Sequence, residues 1–438
     1  MDKRNRIWFL LSLPLFLFPV GLVVRHFFSE PFLTDLCAYS AISRALFEGN
    51  NPFPDHFDLL FYQDESWGAI IPIVYPGQML FFVIPGYLWG RVIQFVYLAL
   101  NIGIVFFLFA LTLVKACGYQ VRDLWTPGRK QFFYALCCFF CLMCCGTKDV
   151  LKWGQISIVL ALCFYLIFWI GDRGYFWLRT VLFSFIAVAK YSLLPVAAPL
   201  LFFKGHWKLC IAAFSVFVFL SISPFFFGND LAELYSEYLK AVAITVQPGG
   251  INHYSSHPVG MCHLDLFKSP VIVYCLKALI IGVVLWLFWR EHKKDYVSDT
   301  LFLLAFSLTM LVTYHRIYDI ILVYPLLAIR LFDFARTKQW SLFGITFLFP
   351  LFLCLPRLVT YDLLGSWIGR IPKLGAVVYL YENRIYGPVF PVMSLFSVAL
   401  ALWSLYLYLH VKDPYRFELP VPKKKQEKSP VQEPDTLS

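Results

Sequence analysis

Apolar residues fill most of this chain in long blocks, and each block ends at Gly, Pro or a small cluster of Lys and Arg. A helix needs about 20 apolar residues to cross a bilayer, and ten apolar blocks, several of them shorter than that, are read as spans: Ile7–Val24, Val92–Val114, Phe132–Cys145, Ile156–Ile170, Leu209–Phe227, Pro270–Trp289, Leu301–Thr313, Ile320–Ala328, Leu342–Leu355 and Val389–His410. Between the first two, Pro31–Phe53 changes period. Leu36, Tyr39, Ile42 and Leu46 recur at helical spacing, Thr34 offers a cap, and Gly49-Asn50-Asn51-Pro52 stops the run. That pattern predicts an amphipathic helix of three to four turns lying outside the first span.

Two further apolar stretches fit a simple crossing badly. If Ile70–Trp89 crossed, the next span would carry Lys115, Arg122, Arg129 and Lys130 to the outside, against the preference of basic residues for the cytoplasmic side. It is therefore expected to lie in the interface or re-enter. Thr180–Phe203 has basic residues at both ends, Arg173 and Arg179 before it and Lys204 and Lys208 after it. A broken pair of short helices entering and leaving on one side satisfies both ends. Lys190 then falls at the turn, beside a polar cavity, since irregular backbone at depth requires one. The other reading is a single tilted span with Lys190 reaching back to the interface.

The expected architecture is an all-α integral membrane protein with about ten full spans plus the broken pair, and with re-entrant or interfacial helices in the outer loops. Residues 1–410 form the membrane body, with outer loops at 25–91, 228–269 and 356–387, and 411–438 form a disordered basic tail. Both termini fall in the cytoplasm by the charge rule. The basic start, Lys3, Arg4 and Arg6, leads into an apolar run without a small-residue cleavage site, the pattern of a retained signal anchor.

Composition agrees. Of 438 residues, 60% are hydrophobic and only 15% charged, which excludes an ordinary soluble domain. Mean hydropathy is +0.68. The net charge of +10 comes from basic clusters between apolar blocks, so it sets orientation and is no nucleic-acid footprint. Cys137, Cys138, Cys141, Cys144 and Cys145 crowd one apolar block and read as buried thiols in preference to a zinc site. No metal or cofactor is called for, although the acidic patch Asp55, Asp58, Asp64 and Glu65 leaves a metal site open beside a solvated face. With no Asn-x-Ser/Thr sequon, a bacterial inner (plasma) membrane is favoured.

The unusual polar residues gather toward the outer side: Asp35, Lys148, Lys152, Gln155, Asn252, His253, His315, Arg316 and Asp319, with Lys190 pointing there from within. Ionisable groups at membrane depth are costly and are usually functional. One carboxylate among several cations suits an anionic lipid phosphate and a hydroxyl nucleophile. Each group also has a plainer reading. Asp35 in a first helical turn complements the helix dipole, and His315 and Arg316 can anchor a turn at the headgroups.

Taken in order, these segments resemble the polytopic glycosyltransferases of the C superfamily, most closely family 87, which includes polyprenol-phosphate-mannose-dependent mannosyltransferases. The landmarks are TDLCAYSAISRALFEGNNPF from Thr34, VYPGQ from Val74, LKWGQISIVLAL from Leu151, AVAKYSLLPVAAPLLFF from Ala187 and TYHRIYDIILVYPLL from Thr313. The resemblance implies a polyprenyl phosphate sugar donor, an outer-face lipid or glycan acceptor and metal-independent inverting transfer. It makes Asp35 the general base and places Lys190, His315, Arg316 and Lys152 at the donor phosphate. Tyr39, Tyr75, Gln155, Asn252, His253 and Asp319 would line the cavity. Two positions depart from the family pattern, Gly77 for a second proline and Thr34 for a paired acid. The rival class is a multi-pass transporter or lipid flippase, which would show paired repeats and midplane polarity in several spans.

Overall fold

The computed structural model describes residues 3–29, 34–53, 91–144, 147, 150–151, 154–170, 175–189, 194–246, 270–312, 317–360 and 392–418. Within them the chain is helical apart from one small ribbon. The helices are α1 (Lys3–Ser29), α2 (Thr34–Phe47), α3 (Arg91–Ala116), α4 (Val121–Trp125), α5 (Arg129–Met143), α6 (Ser157–Trp169), α7 (Phe176–Ala189), α8 (Leu194–Phe203), α9 (Trp207–Ile222), α10 (Leu231–Val246) and α11 (Pro270–Arg290). Strand β1 (Tyr296–Ser298) comes next, then α12 (Asp299–Val312), α13 (Tyr324–Arg336), α14 (Trp340–Thr360), α15 (Val392–His410) and strand β2 (Arg416–Glu418). Two 3-10 turns, Ser223–Phe227 and Ile317–Leu322, join α9 to α10 and precede α13.

Among the described residues, four helical stretches are long and apolar enough to cross a membrane: Lys3–Val24, Val92–Ala116, Trp207–Phe227 and Val271–Arg290. Shorter apolar helices pack among them. Helix α1 lies on α5, α3 packs on α5 and α6, α7 on α6 and α9, and α12 on α15. Large apolar side chains such as Leu10, Val92, Phe214 and Trp286 are exposed, as a hydrocarbon surrounding allows.

Two helices are described within the apolar stretch at 180–203. Helix α7 stops at Ala189 and α8 starts at Leu194, with Lys190 outside the described residues. Before the pair, Trp169 at the end of α6 stacks on Phe417 of β2, their ring centres 5.9 Å apart. After it, Lys204 donates through Nζ to the carbonyls of Glu291 and Tyr296, at 2.7 and 2.9 Å. Tyr296 and Phe417 belong to one ribbon, so residues 169 and 204 lie at the same end of the molecule.

That ribbon modifies the expectation of a tail from residue 411. Strand β2 pairs antiparallel with β1, Val297 opposite Phe417. Phe417 is completely buried and meets Phe302 edge-on at 5.0 Å. An aromatic side chain between two polar neighbours, Arg416 and Glu418, is the alternation of a half-buried strand. Residues 419–438 lie outside the described residues.

Ile320–Ala328, expected as a span, divides between the second 3-10 turn and α13, which continues to Arg336. The helix passes through Arg330 because that guanidinium is paired internally. Its Nε lies 2.5 Å from a carboxylate oxygen of Asp299, and both side chains are almost fully buried. The pair ties the start of α12 to α13. Pro325 opens α13, where its missing N–H has no intrahelical partner to lose.

Cys137, Cys138, Cys141 and Cys144 are buried in α5 and at its end, with Cys145 outside the described residues. The thiol of Cys354 in α14 donates to the Phe140 carbonyl at 3.1 Å. These residues behave as small apolar side chains between α5 and α14.

Candidate functional site

Helix α2 carries Asp35 and Tyr39. Its backbone is described there, while those two side chains lie outside the described residues. Leu36, Ile42 and Leu46 form its buried stripe, as the sequence period requires. The helix ends in a Schellman arrangement: Asn50 N–H donates to the Ala45 carbonyl and Gly49 N–H to the Leu46 carbonyl, with Gly49 left-handed at φ +78°. A Cβ at Gly49 would come within 2.6 Å of the Phe227 carbonyl oxygen. The amide of Asn229 bridges the same contact, donating to the Leu46 and Pro224 carbonyls at 2.8 and 3.1 Å. Phe47 packs on Phe227 and Phe53 on Tyr238. Thus the Leu-x-x-Gly-x-x-Pro-Phe run locks the Asp35 helix against the start of the loop after α9.

A second polar group forms where α3, α6 and the turn before α13 meet. Asp319, from the Ile317–Leu322 turn, is 1% exposed and accepts a 2.8 Å hydrogen bond from the Ser157 hydroxyl. Ser157 opens α6, placing it about 18 Å along the axis from Trp169 at the ribbon end. Just before it, the Gln155 carbonyl accepts from the Tyr97 hydroxyl of α3 at 2.5 Å. The Tyr165 hydroxyl donates to the Leu322 carbonyl at the base of the turn. The three contacts cross 162, 58 and 157 positions of chain, the product of tertiary packing and not of local turns.

A carboxylate sealed among apolar helices requires strong donors, since desolvating a charge is expensive. The Ser157 hydroxyl is one. His315 and Arg316 precede Asp319 by four and three positions. A carboxylate and a hydroxyl held together can bind the hydroxyl groups of a sugar, each of which both donates and accepts.

Of the residues expected at the site, Gln155 and Asp319 are brought into this one cluster, joined through Ser157 and Tyr97. Lys152, Lys190, Tyr75, Asn252, His253, His315 and Arg316 lie outside the described residues. Sequence reasoning passed over Tyr97, Ser157 and two buried carboxamides of α3, Gln94 and Asn101. Their signal was present: Gln94, Tyr97 and Asn101 are spaced three and four apart in a helix otherwise almost wholly apolar until Thr112.

No curated protein and no solved structure is significantly similar to this chain. The family model "Glycosyltransferase family 87" matches residues 74–314, more than half of the chain, from ahead of α3 to just beyond α12. That stretch carries Tyr97, Gln155 and Ser157, and it ends five residues before Asp319. With its apolar helices and this continuous match, the chain is a membrane glycosyltransferase belonging to family 87.

Proposed function

We propose that this enzyme transfers a hexose, mannose in the first instance, from a polyprenyl phosphate to an envelope glycan or glycolipid on the outer face of the plasma membrane. Membership of family 87 carries the reading. The buried Ser157–Asp319 contact supports it, because a polar group held inside an apolar protein suits a substrate delivered from the bilayer. In this reading both termini are cytoplasmic. Lys190, His315, Arg316 and Lys152 hold the donor phosphate and neutralise it as it leaves. Asp35 takes the proton from the acceptor hydroxyl as that oxygen attacks the anomeric carbon and the bond to phosphate breaks, which inverts the anomeric configuration. Tyr39, Tyr75, Gln155, Asn252, His253 and Asp319 line the sugar cavity. The lipid tail lies between helices.

The test is sugar transfer by purified protein in lipid nanodiscs, with labelled polyprenyl phosphate hexoses and extracted envelope glycolipids as acceptors. Wild type is expected to transfer. Asp35→Asn should lose at least 100-fold in kcat with little change in donor KM, the usual scale for removing a general base. Full activity in Asp35→Asn would remove the base from the mechanism.

A further inference from the structure

Helix α3 carries a polar feature that the transfer chemistry above does not use. Gln94 is completely buried, on the face that also presents Leu98, Asn101, Val105 and Leu108 to the core. Among the described residues, neither Nε2 nor Oε1 of Gln94 has a hydrogen-bonding partner. Asn101 is half satisfied: its Nδ2 donates to the Tyr97 carbonyl at 2.9 Å, and its Oδ1 has no partner among the described residues. A carboxamide offers two donor hydrogens and two acceptor lone pairs, and leaving such a group buried and unmade is costly. Leucine or methionine at position 94 would avoid that penalty, so the amide is unfavourable unless a hydrogen-bonding molecule, a water or a ligand, engages it.

Its position indicates which ligand. Gln94 lies one helical turn from Tyr97, whose hydroxyl contacts the Gln155 carbonyl, and Gln155 leads into Ser157 and Asp319. A lipid tail offers nothing to an amide. Phosphate oxygens can only accept, so they satisfy Nε2 and leave Oε1 bare. A sugar hydroxyl donates and accepts, and two neighbouring ring hydroxyls can engage both amide atoms together. We propose that Gln94, with Asn101 about two turns along the helix, is a sugar-reading subsite that binds ring hydroxyls of the hexose handled by this enzyme. This rests on the glycosyltransferase reading, though not on the identity of the donor's lipid carrier.

The experiment compares wild type with Gln94→Met, a substitution of similar volume without hydrogen-bonding atoms. Saturating methyl hexosides are added first, with the melting temperature as readout and inorganic phosphate as control. A hexoside should raise the melting temperature of wild type and not of Gln94→Met, while phosphate acts alike on both. Without ligand, Gln94→Met should melt no lower than wild type, because no internal bond is lost. In transfer assays it should lose at least tenfold in kcat/KM. Wild type should lose a similar factor with the deoxyhexose lacking the hydroxyl that is read, and Gln94→Met should not discriminate against that analogue. Separate KM values for donor and acceptor identify which of the two sugars occupies the subsite. Hexoside stabilisation that is equal in both proteins or absent from both, or a ligand-free melting loss in Gln94→Met, would overturn the proposal. If hexosides stabilise wild type selectively but no polyprenyl phosphate hexose is consumed, the subsite stands and the lipid-donor reading falls.

Discussion

At Gly49 two independent demands fall on one residue. Its backbone is left-handed, a region that costs an ordinary residue about 1–2 kcal/mol, and its α-carbon faces the Phe227 carbonyl too closely for any side chain. Gly49→Ala should therefore lower the melting temperature in detergent by several degrees and reduce transfer through displacement of α2. Gly49→Asn separates the two demands, because Asn tolerates the left-handed backbone and still carries a Cβ. It is expected to be nearly as damaging, and wild-type stability in Gly49→Asn would show that the close approach does not matter. The sequence marked Gly49 as a helix stop. It could not show that Phe227, far along the chain, is what makes a side chain intolerable there.

The same distinction appears among elements. Basic residues at both ends of residues 180–203 pointed to a pair of short helices, and α7 and α8 occupy that stretch, with residues 190–193 outside the described residues. The course of α13 was not legible in this way. Ending the apolar block at Ala328, ahead of Arg330, is sound for an unpaired charge, and the helix runs on because Asp299 neutralises this one inside the protein. Breaking a buried ion pair by removing one partner typically costs about 3–5 kcal/mol, while replacing both with apolar residues is often close to neutral. Arg330→Met should accordingly melt well below wild type, and Asp299→Leu combined with Arg330→Met should recover most of the loss. A double variant as unstable as the single one would assign the effect to packing instead of charge. Strand β2 shows the limit of composition in another way: a polar stretch ahead of a lysine-rich tail gains its order from β1 and from the socket that Trp169 and Phe302 make for Phe417.

For the whole molecule, the ends of α3 and α8 give a direct check on orientation. Gln120 and Lys208 are both exposed and lie beyond the basic ends of apolar helices. In the proposed orientation both face the cytoplasm. Cysteines introduced as Gln120→Cys and Lys208→Cys should be labelled by a membrane-impermeant maleimide only after the cells are opened, with wild type as the background. Labelling of either site in intact cells would invert that part of the chain.

Apolar block length and the placement of Lys and Arg were enough to settle that this is a helical membrane protein, because hydrocarbon imposes the same length and charge requirements wherever a segment lies in the sequence. The ordered run of short motifs was likewise enough to point to family 87. Tertiary structure alone decided that Ser157 meets Asp319, that Tyr97 reaches the Gln155 carbonyl, and that Gln94 is sealed away with its amide unmatched among the described residues. Those contacts depend on which helices pack together and at what depth. Periodicity shows the face of a helix that turns inward, and it carries no record of what that face will meet.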